Sequence, residues 1–469
     1  MSSQNPLRRL PSVHELLESP PLRGLVERFN HHVVVGEVRS FLDNLRGELQ
    51  QKAAEVGVPA AQELADRIAR WIVADQQPRL RPVINATGIL LHTGLGRSPL
   101  AEEAIQEVTA IASGYASLEV DLESGQRSQR TISAERLLAE LTGAEAALVV
   151  NNNAGATLLA LASLGRGREV IVSRGHLVEI GGSYRLPEVM TASGAILREV
   201  GTTNKTRIRD YELAIGPASG ALLRVHPSNY VISGFTEQAS LEELVELGGR
   251  HGLPVIDDIG SGALVDFEKF GLPGEPMPAA SIRAGADLVL FSGDKLLGGP
   301  QCGILVGRRK IIEQLLRDPL TRALRVDKMT LAALVATLRL YRDPQVAQER
   351  IPLLRLLSAS PDNLKNRAER LAPQLQALPA IEKAEAVAGT TFLGGGSVPT
   401  QELPTWCVAL EPRGGKVDAF ARRLRMGTPA VFGRIHQERL LLDLRAVYPA
   451  QDTQLIDAVR DLGQPEAAD

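Results

Sequence analysis

The chain has 469 residues, 44% hydrophobic and 23% charged, which fits a folded globular protein of two or three domains and excludes collagen-like and disordered chains. Lys and Arg number 52 against 55 Asp and Glu, a net charge of -3, so bulk positive charge does not mark the chain for generic nucleic-acid binding. Cys302 and Cys407 are too few for a disulfide framework or a zinc knuckle, no apolar run approaches the ~20 residues of a membrane span, and the opening MSSQNPLRRL lacks the apolar core of a signal peptide. A cytoplasmic protein without a metal is expected.

In chain order, residues 1–75 read as helical. Val26, Phe29, Val33 and Val34 recur at helical spacing, as do Val38, Phe41, Leu42 and Leu45, and then Leu64, Ile68, Trp71 and Ile72. Pro20-Pro21 and Gly57-Val58-Pro59 are the expected breaks. Residues 1–80 hold ten basic and ten acidic side chains, so this module is electrically balanced. From 76 to 310 short Val/Ile/Leu runs alternate with helical patterns. Ala146–Val150, Glu169–Ser173, Ala195–Val200, Ala221–Val225, Pro254–Ile256 and Leu288–Phe291 are expected strands, with Leu241–Gly249 among the helices between them. That rhythm predicts βαβ units and an α/β core with a mostly parallel sheet, which places ligands beyond the strand C-termini. Residues 311–390 read as a helical linker completing the core. Residues 391–469 read as a small α+β domain: a strand at Thr405–Leu410, a helix at Gly415–Arg425, a hairpin from Ala430–Ile435 and Leu440–Asp443, and a last helix at Gln454–Asp461.

Chemistry concentrates in Ser292-Gly293-Asp294-Lys295-Leu296-Leu297-Gly298-Gly299, just after the strand Leu288–Phe291. Only nine of the 52 basic residues are lysines. A lysine there is a primary amine whose pKa falls on burial, the group needed for imine formation, and arginine cannot replace it. Two further segments point to the same cofactor, pyridoxal 5'-phosphate. Asp257-Asp258 ends an apolar run, and a carboxylate there can keep a pyridine nitrogen protonated so that the ring draws electrons from a carbanion. Asn151-Asn152-Asn153-Ala154-Gly155 joins a strand to an expected helix at Leu158–Leu164, and Ala154 and Gly155 let backbone N–H groups approach a phosphate. Ser292 is a further candidate phosphate contact. Each has a plain alternative: a surface lysine beside Asp294, an N-cap or Mg²⁺ carboxylate, an ordinary loop.

The order phosphate loop, acidic strand end, lysine, small C-terminal domain resembles the fold-type I family of pyridoxal phosphate enzymes, with a seven-stranded, mostly parallel sheet. The resemblance narrows through Asn85–Gly88, His92–Ser98, Leu177–Gly182, Glu199–Asn204, Ser292–Gly299, Arg322–Lys328, Gly433–Ile435 and Leu442–Arg445, which look like bacterial selenocysteine synthases, the L-seryl-tRNA(Sec) selenium transferases.

The resemblance implies that seryl-tRNA(Sec) exchanges its amine with the imine on Lys295, passes through a dehydroalanyl intermediate, and receives selenium from selenophosphate. It matches Asp258 rather than Asp257 to the ring-nitrogen partner, though the residues alone leave both open. It matches Arg97, Arg322 and Arg325 to anion-binding arginines, and Arg322 and Arg325 share a face if helical. Pairing of those two with Asp318 and Asp327 is the plain alternative. Asp294 stands beside the lysine as a catalytic or a structural group. The resemblance assigns residues 1–75 to tRNA binding, with Arg8, Arg9, Arg23, Arg28 and Arg39 available, and implies a homo-oligomer, a ring of ten built from dimers, in which some arginines serve a neighbouring subunit. No membrane or DNA partner is expected. Cys302 reads as a small core residue, His176 as either a ring-stacking or an ordinary loop histidine, Gly394-Gly395-Gly396 as a turn, and His226-Pro227-Ser228-Asn229 as a polar loop without an assigned role. The rival readings are a pyridoxal phosphate lyase acting on a small amino acid or amino sugar by α,β-elimination, and a non-catalytic RNA-binding scaffold.

Overall fold

A computed structural model of the chain describes residues 10–51, 59–75, 80–181 and 184–462. Arg8, Arg9, Gly182 and the Gly57-Val58 break lie outside the described residues. The chain forms two compact units, Met1–Pro82 and Val83–Asp469.

In the first unit the apolar stripes become helices Val13–Leu17, Pro20–Phe29, His31–Gln51 and Ala61–Asp75. Leu22, Val34, Val38, Leu42, Leu64, Ile68 and Ile72 are fully buried in one cluster, with Phe41 edge-on to Trp71 at 5.7 Å. Pro20-Pro21 starts a helix rather than merely ending one, because its ring-fixed φ suits the first helical turn. The stripe from Val26 to Val34 is interrupted at Asn30, whose φ of 85° ends one helix before the next begins. Val33 consequently turns to solvent.

The second unit is built on a seven-stranded sheet: β1 Ala146–Val150, β2 Glu169–Ser173, β3 Ile196–Val200, β4 Ser219–Val225, β5 Val255–Gly260, β6 Leu288–Ser292 and β7 Gly303–Gly307. Their spatial order is β1-β7-β6-β5-β4-β2-β3. β7 runs antiparallel to both neighbours and every other pairing is parallel, as the sequence rhythm predicts. The central strands are buried end to end, which is why they read as continuous apolar runs rather than alternations. β5 extends four residues past the expected Ile256, so the acidic pair lies on the strand itself.

The expected helix at Leu158 begins five residues earlier, at Asn153, and runs to Gly165. Asn152 caps it, its side chain accepting the Gly155 N–H at 2.8 Å. The stretch 310–378 is a series of short helices, several of them restarting at Pro319, Pro344, Pro352 and Pro361.

A second, six-stranded sheet forms the C-terminal part. Its order is Val83–Ala86, Ala430–His436, Arg439–Asp443, Ser397–Pro412, Ile381–Gly394 and Ile89–Leu91. Residues 83–91, expected within the large core, are thus edge strands of the C-terminal sheet, where Ile84 and Ala86 bury against Leu364, Val431 and Leu442. This explains two of the singled-out motifs as packing. Gly88, at φ 78°, lies so close to Asp443 that a Cβ would come within 2.6 Å of its Oδ2, and Asp443 accepts from Thr391 and Thr405, each at 2.8 Å.

Candidate active site

Lys295 follows β6 in a tight turn fixed by backbone bonds on both sides. Leu296 N–H donates to Ser261 O at 3.0 Å, Gly299 N–H to Gly293 O at 2.9 Å, and Gly293 N–H to Cys302 O at 2.9 Å. Leu296 and Leu297 are fully buried anchors. The turn aims the lysine into a cavity of about 290 Å³ beyond the C-terminal ends of β4, β5 and β6. Lys295 is only 4% exposed, and its amine makes no hydrogen bond or ion pair among the described residues. Burial lowers its amine pKa, and the Arg97 charge acts in the same direction against Asp258, Asp294 and Glu275.

Side-chain alternation along β5 separates the two aspartates. Asp258 lines the cavity, its oxygens accepting from Asn153 Nδ2 at 3.0 Å and Thr157 Oγ1 at 2.9 Å. Asp257 lies outside the cavity lining and takes Arg224 Nη1 at 2.9 Å. Burial raises the Asp258 pKa, opposed by the Asn153 and Thr157 hydrogen bonds and by Lys295, and reinforced by Asp257. A buried amine pushed down and a buried carboxyl pushed up are two groups each short of a charged partner.

The start of the Asn153–Gly165 helix forms another wall, with Asn152, Asn153 and Ala154 in the lining, and Ser292 faces in from the end of β6. Gly155, expected beside a phosphate, does not line the cavity: its N–H donates to Asn152 and Leu324 packs over its Cα. The residues present fit pyridoxal phosphate. They offer an unpartnered buried amine, a carboxylate held by two neutral donors, and a helix N-terminus with a buried serine for an anionic group.

Arg97 and Asp294 both line this cavity and pair with each other at 2.8 Å. Arg97 adopts φ 61°, in a turn where its N–H donates to His92 O at 3.0 Å. Arg322 and Arg325 do not join them within one chain. They line a separate cavity of about 520 Å³, together with Arg127, Arg130 and Arg317. Their helix ends at Ala323, so the expected shared helical face does not form. Asp318 and Asp327 do not pair with them either. Asp318 accepts Leu320 N–H at 2.9 Å and Asp327 accepts Met329 N–H at 2.7 Å, both as helix caps. Glu119 is the carboxylate that meets this cluster, at 2.8 Å from Arg130 and 3.5 Å from Arg325.

Among the cavity residues that sequence reasoning left unassigned are Tyr184, His226, Ser228 and Gln301. The loop His226-Pro227-Ser228-Asn229 at the end of β4 was the available signal for two of them. Burial, then Arg224 and Lys295, hold the His226 pKa down at about 4. His176 does not line the cavity. It is buried in the turn Arg174–His176, its Nδ1 accepting Val225 N–H at 3.5 Å, with its pKa also held at about 4. Cys302 is 1% exposed at the cavity wall, and burial followed by Asp294 pushes its thiol pKa up, as suits a core residue that stays protonated.

Comparison with known proteins identifies the family. The family described as L-seryl-tRNA selenium transferase matches residues 83–448, and the family described as selenocysteine synthase N terminal matches residues 7–46. The L-seryl-tRNA(Sec) selenium transferase of Moorella thermoacetica is 50% identical over 460 residues, covering 98% of this chain and 97% of the relative. That of Geobacter sulfurreducens is 47% identical over 460 residues, covering 97% and 98%. Among solved structures, D-glucosaminate-6-phosphate ammonia-lyase aligns over 83% of this chain and 97% of its own with a TM-score of 0.58; at 22% identity this is a likeness of fold. By its matches along nearly the whole sequence, the chain belongs to the L-seryl-tRNA selenium transferase family.

Proposed function

We propose that the chain converts seryl-tRNA(Sec) to selenocysteinyl-tRNA(Sec), with selenophosphate as selenium donor and pyridoxal 5'-phosphate held at Lys295. The observation that carries this reading is the buried, unpartnered Lys295 amine in one cavity with Asp258, in a chain matching this family from end to end.

When bound, pyridoxal phosphate supplies an electron sink for the electrons left at the substrate α-carbon. The chain's own residues do the rest. Asp258, held by Asn153 and Thr157, offers a carboxylate to the ring nitrogen, and a cationic partner there reverses the upward push of burial. Ala154 at the helix start and Ser292 receive the cofactor phosphate. Burial lowers the Lys295 pKa, which eases the release of its proton, so that Nζ can take a proton and return it to the leaving β-hydroxyl. Arg97 offers a guanidinium to the oxygens of selenophosphate, and Asp294 fixes its orientation.

Arg322 and Arg325 serve the same anion from a neighbouring subunit in the proposed homodecamer. The unit of helices over residues 10–75 docks the tRNA by shape, through placed arginines rather than net charge. Arg39 is exposed there, Arg28 stacks over Phe29 at 4.8 Å, and Arg23 pairs with Glu18. The proposed setting is the cytoplasm; among the described residues no helix is long and apolar enough to cross a membrane.

The test is incubation of the full-length protein with seryl-tRNA(Sec) and labelled selenophosphate. Labelled selenium in the aminoacyl-tRNA is expected. A protein that ignores this tRNA but eliminates from a free amino acid or amino sugar is a small-substrate lyase instead.

A further inference from the structure

Gly394-Gly395-Gly396 joins the two longest strands of the C-terminal sheet, Ile381–Gly394 and Ser397–Pro412. All three glycines have positive φ, 76°, 67° and 70°, which explains the residue type but not the location of the turn. The turn comes close to Lys295 from outside the residues that line its cavity. A Cβ built on Gly396 lies 4.0 Å from Lys295 Nζ, 4.0 Å from Ser228 Oγ and 3.6 Å from Asn229 Cβ. A second glycine, Gly260 at the end of β5, approaches the same two groups. A Cβ there lies 3.9 Å from Lys295 Nζ and 3.8 Å from Ser228 Oγ. The amine and the serine hydroxyl thus sit between two bare backbone positions supplied by different sheets.

Ser228 is an independent pointer to a ligand. It is 2% exposed, lines the cavity, and its hydroxyl makes no hydrogen bond among the described residues. A hydroxyl that faces the cavity with no protein partner is available to a polar group bound there.

We infer that Gly396 is a specificity-determining residue: its missing side chain opens a slot beside Lys295 Nζ that admits the hydroxymethyl group of a seryl ester, with Ser228 Oγ as hydrogen-bond partner for that hydroxyl. The inference rests on the function proposed above and adds a size limit and a polar contact to it. A methyl group on Gly396 stays at ordinary van der Waals distance from the lysine, so it leaves the amine in place and occupies the substrate's space.

The experiment uses full-length enzyme loaded with pyridoxal phosphate and compares two probes, L-serine methyl ester and glycine methyl ester, by the rate at which each shifts the visible absorbance. In Gly396→Ala the borohydride-sensitive band is expected to remain, the serine ester to react at least tenfold more slowly, and the glycine ester to change less than threefold. Ser228→Ala, which carries no backbone strain, is expected to lower the serine-to-glycine preference while keeping the band. Equal slowing of both esters in Gly396→Ala overturns the inference, because it marks backbone strain or a displaced lysine. Unchanged rates for both esters in both variants overturn it as well. A parent enzyme that carries the band and responds to neither ester overturns the inference alone, since the proposed function is decided separately by selenium transfer to seryl-tRNA(Sec).

Discussion

The Lys295 cavity and the Arg322 cavity use charge in opposite ways. In the first, Lys295, Asp258 and Asp294 are each under a tenth exposed, and Asn153, Thr157 and Arg97 hold the two carboxylates in fixed positions. In the second, five arginines border one opening, Arg322 and Arg325 are exposed, and Glu119 answers three of the five. The difference separates two kinds of work. A buried site of few charges tunes pKa values and moves protons, whereas an exposed array of guanidiniums suits capture of a dense anion without altering it.

Substitutions break this comparison at graded strength. The largest effect is expected from Lys295→Ala, which removes both the covalent anchor and the proton carrier: activity falls by at least ~10³-fold. Lys295→Arg keeps a cation and gives no rescue, because a guanidinium does not act as the amine. Absorbance before and after borohydride, with labelled selenium transfer, measures both variants.

Next comes Asp258→Asn, expected to lower turnover by ~10²-fold while the band persists, since the ring loses its charge partner but not its attachment. Asp257→Asn is the sharpening control. It weakens the buried pair with Arg224 and is expected to reduce unfolding stability by ~1–3 kcal/mol with turnover per folded enzyme largely kept. Denaturant titration and single-turnover assays separate the two outcomes.

Arg322→Ala and Arg325→Ala are expected to raise the KM for selenophosphate by ~10-fold or more, leave the band untouched, and recover only partly on substitution by Lys. Activity lost without any change in donor KM breaks the assignment of this cavity to anion capture.

The smallest effect concerns pH. His176 and His226 have pKa values of about 4 in the folded chain against 6.5 ordinarily. Between those values the unfolded chain binds more protons, so the stability these histidines contribute is complete above pH 6.5 and declines as pH falls toward 4. His226→Gln is expected to flatten that slope in unfolding curves recorded across this range.

Uniform burial did not by itself make a strand legible: the fully buried β7 was not among the expected strands, while the mostly exposed β3 was. β1, β2, β3, β4 and β6 match the expected runs to within two residues because apolar strands interrupted by glycines carry a strong local signal. Boundaries set by polar side chains were harder. The helix at Asn153 starts early because Asn152 caps it, and β5 carries its two aspartates with Arg224 donating to Asp257 Oδ1 and Asn153 and Thr157 donating to Asp258. The pairing of residues 83–91 with strands hundreds of positions later has no local signature at all.

The site divides the same way. Lys295, Asp258, Ser292, Ala154, Arg97 and Asp294 were readable and share one cavity. The family resemblance favoured Asp258 over Asp257 where the residues alone left both open, and the orientation of β5 puts Asp258 in the cavity lining and Asp257 against Arg224. Gly396 gave no signal, because its distance from Lys295 is created by the C-terminal sheet and not by anything in the neighbouring sequence.

The most direct test of the account is borohydride reduction of the cofactor-loaded enzyme followed by peptide mass mapping. The chain contains nine lysines, so the outcome discriminates sharply. The account predicts a single pyridoxyl-modified peptide spanning Leu288–Gly299, with the added mass on Lys295. A label on any other lysine, or no label on an enzyme active with seryl-tRNA(Sec), contradicts it.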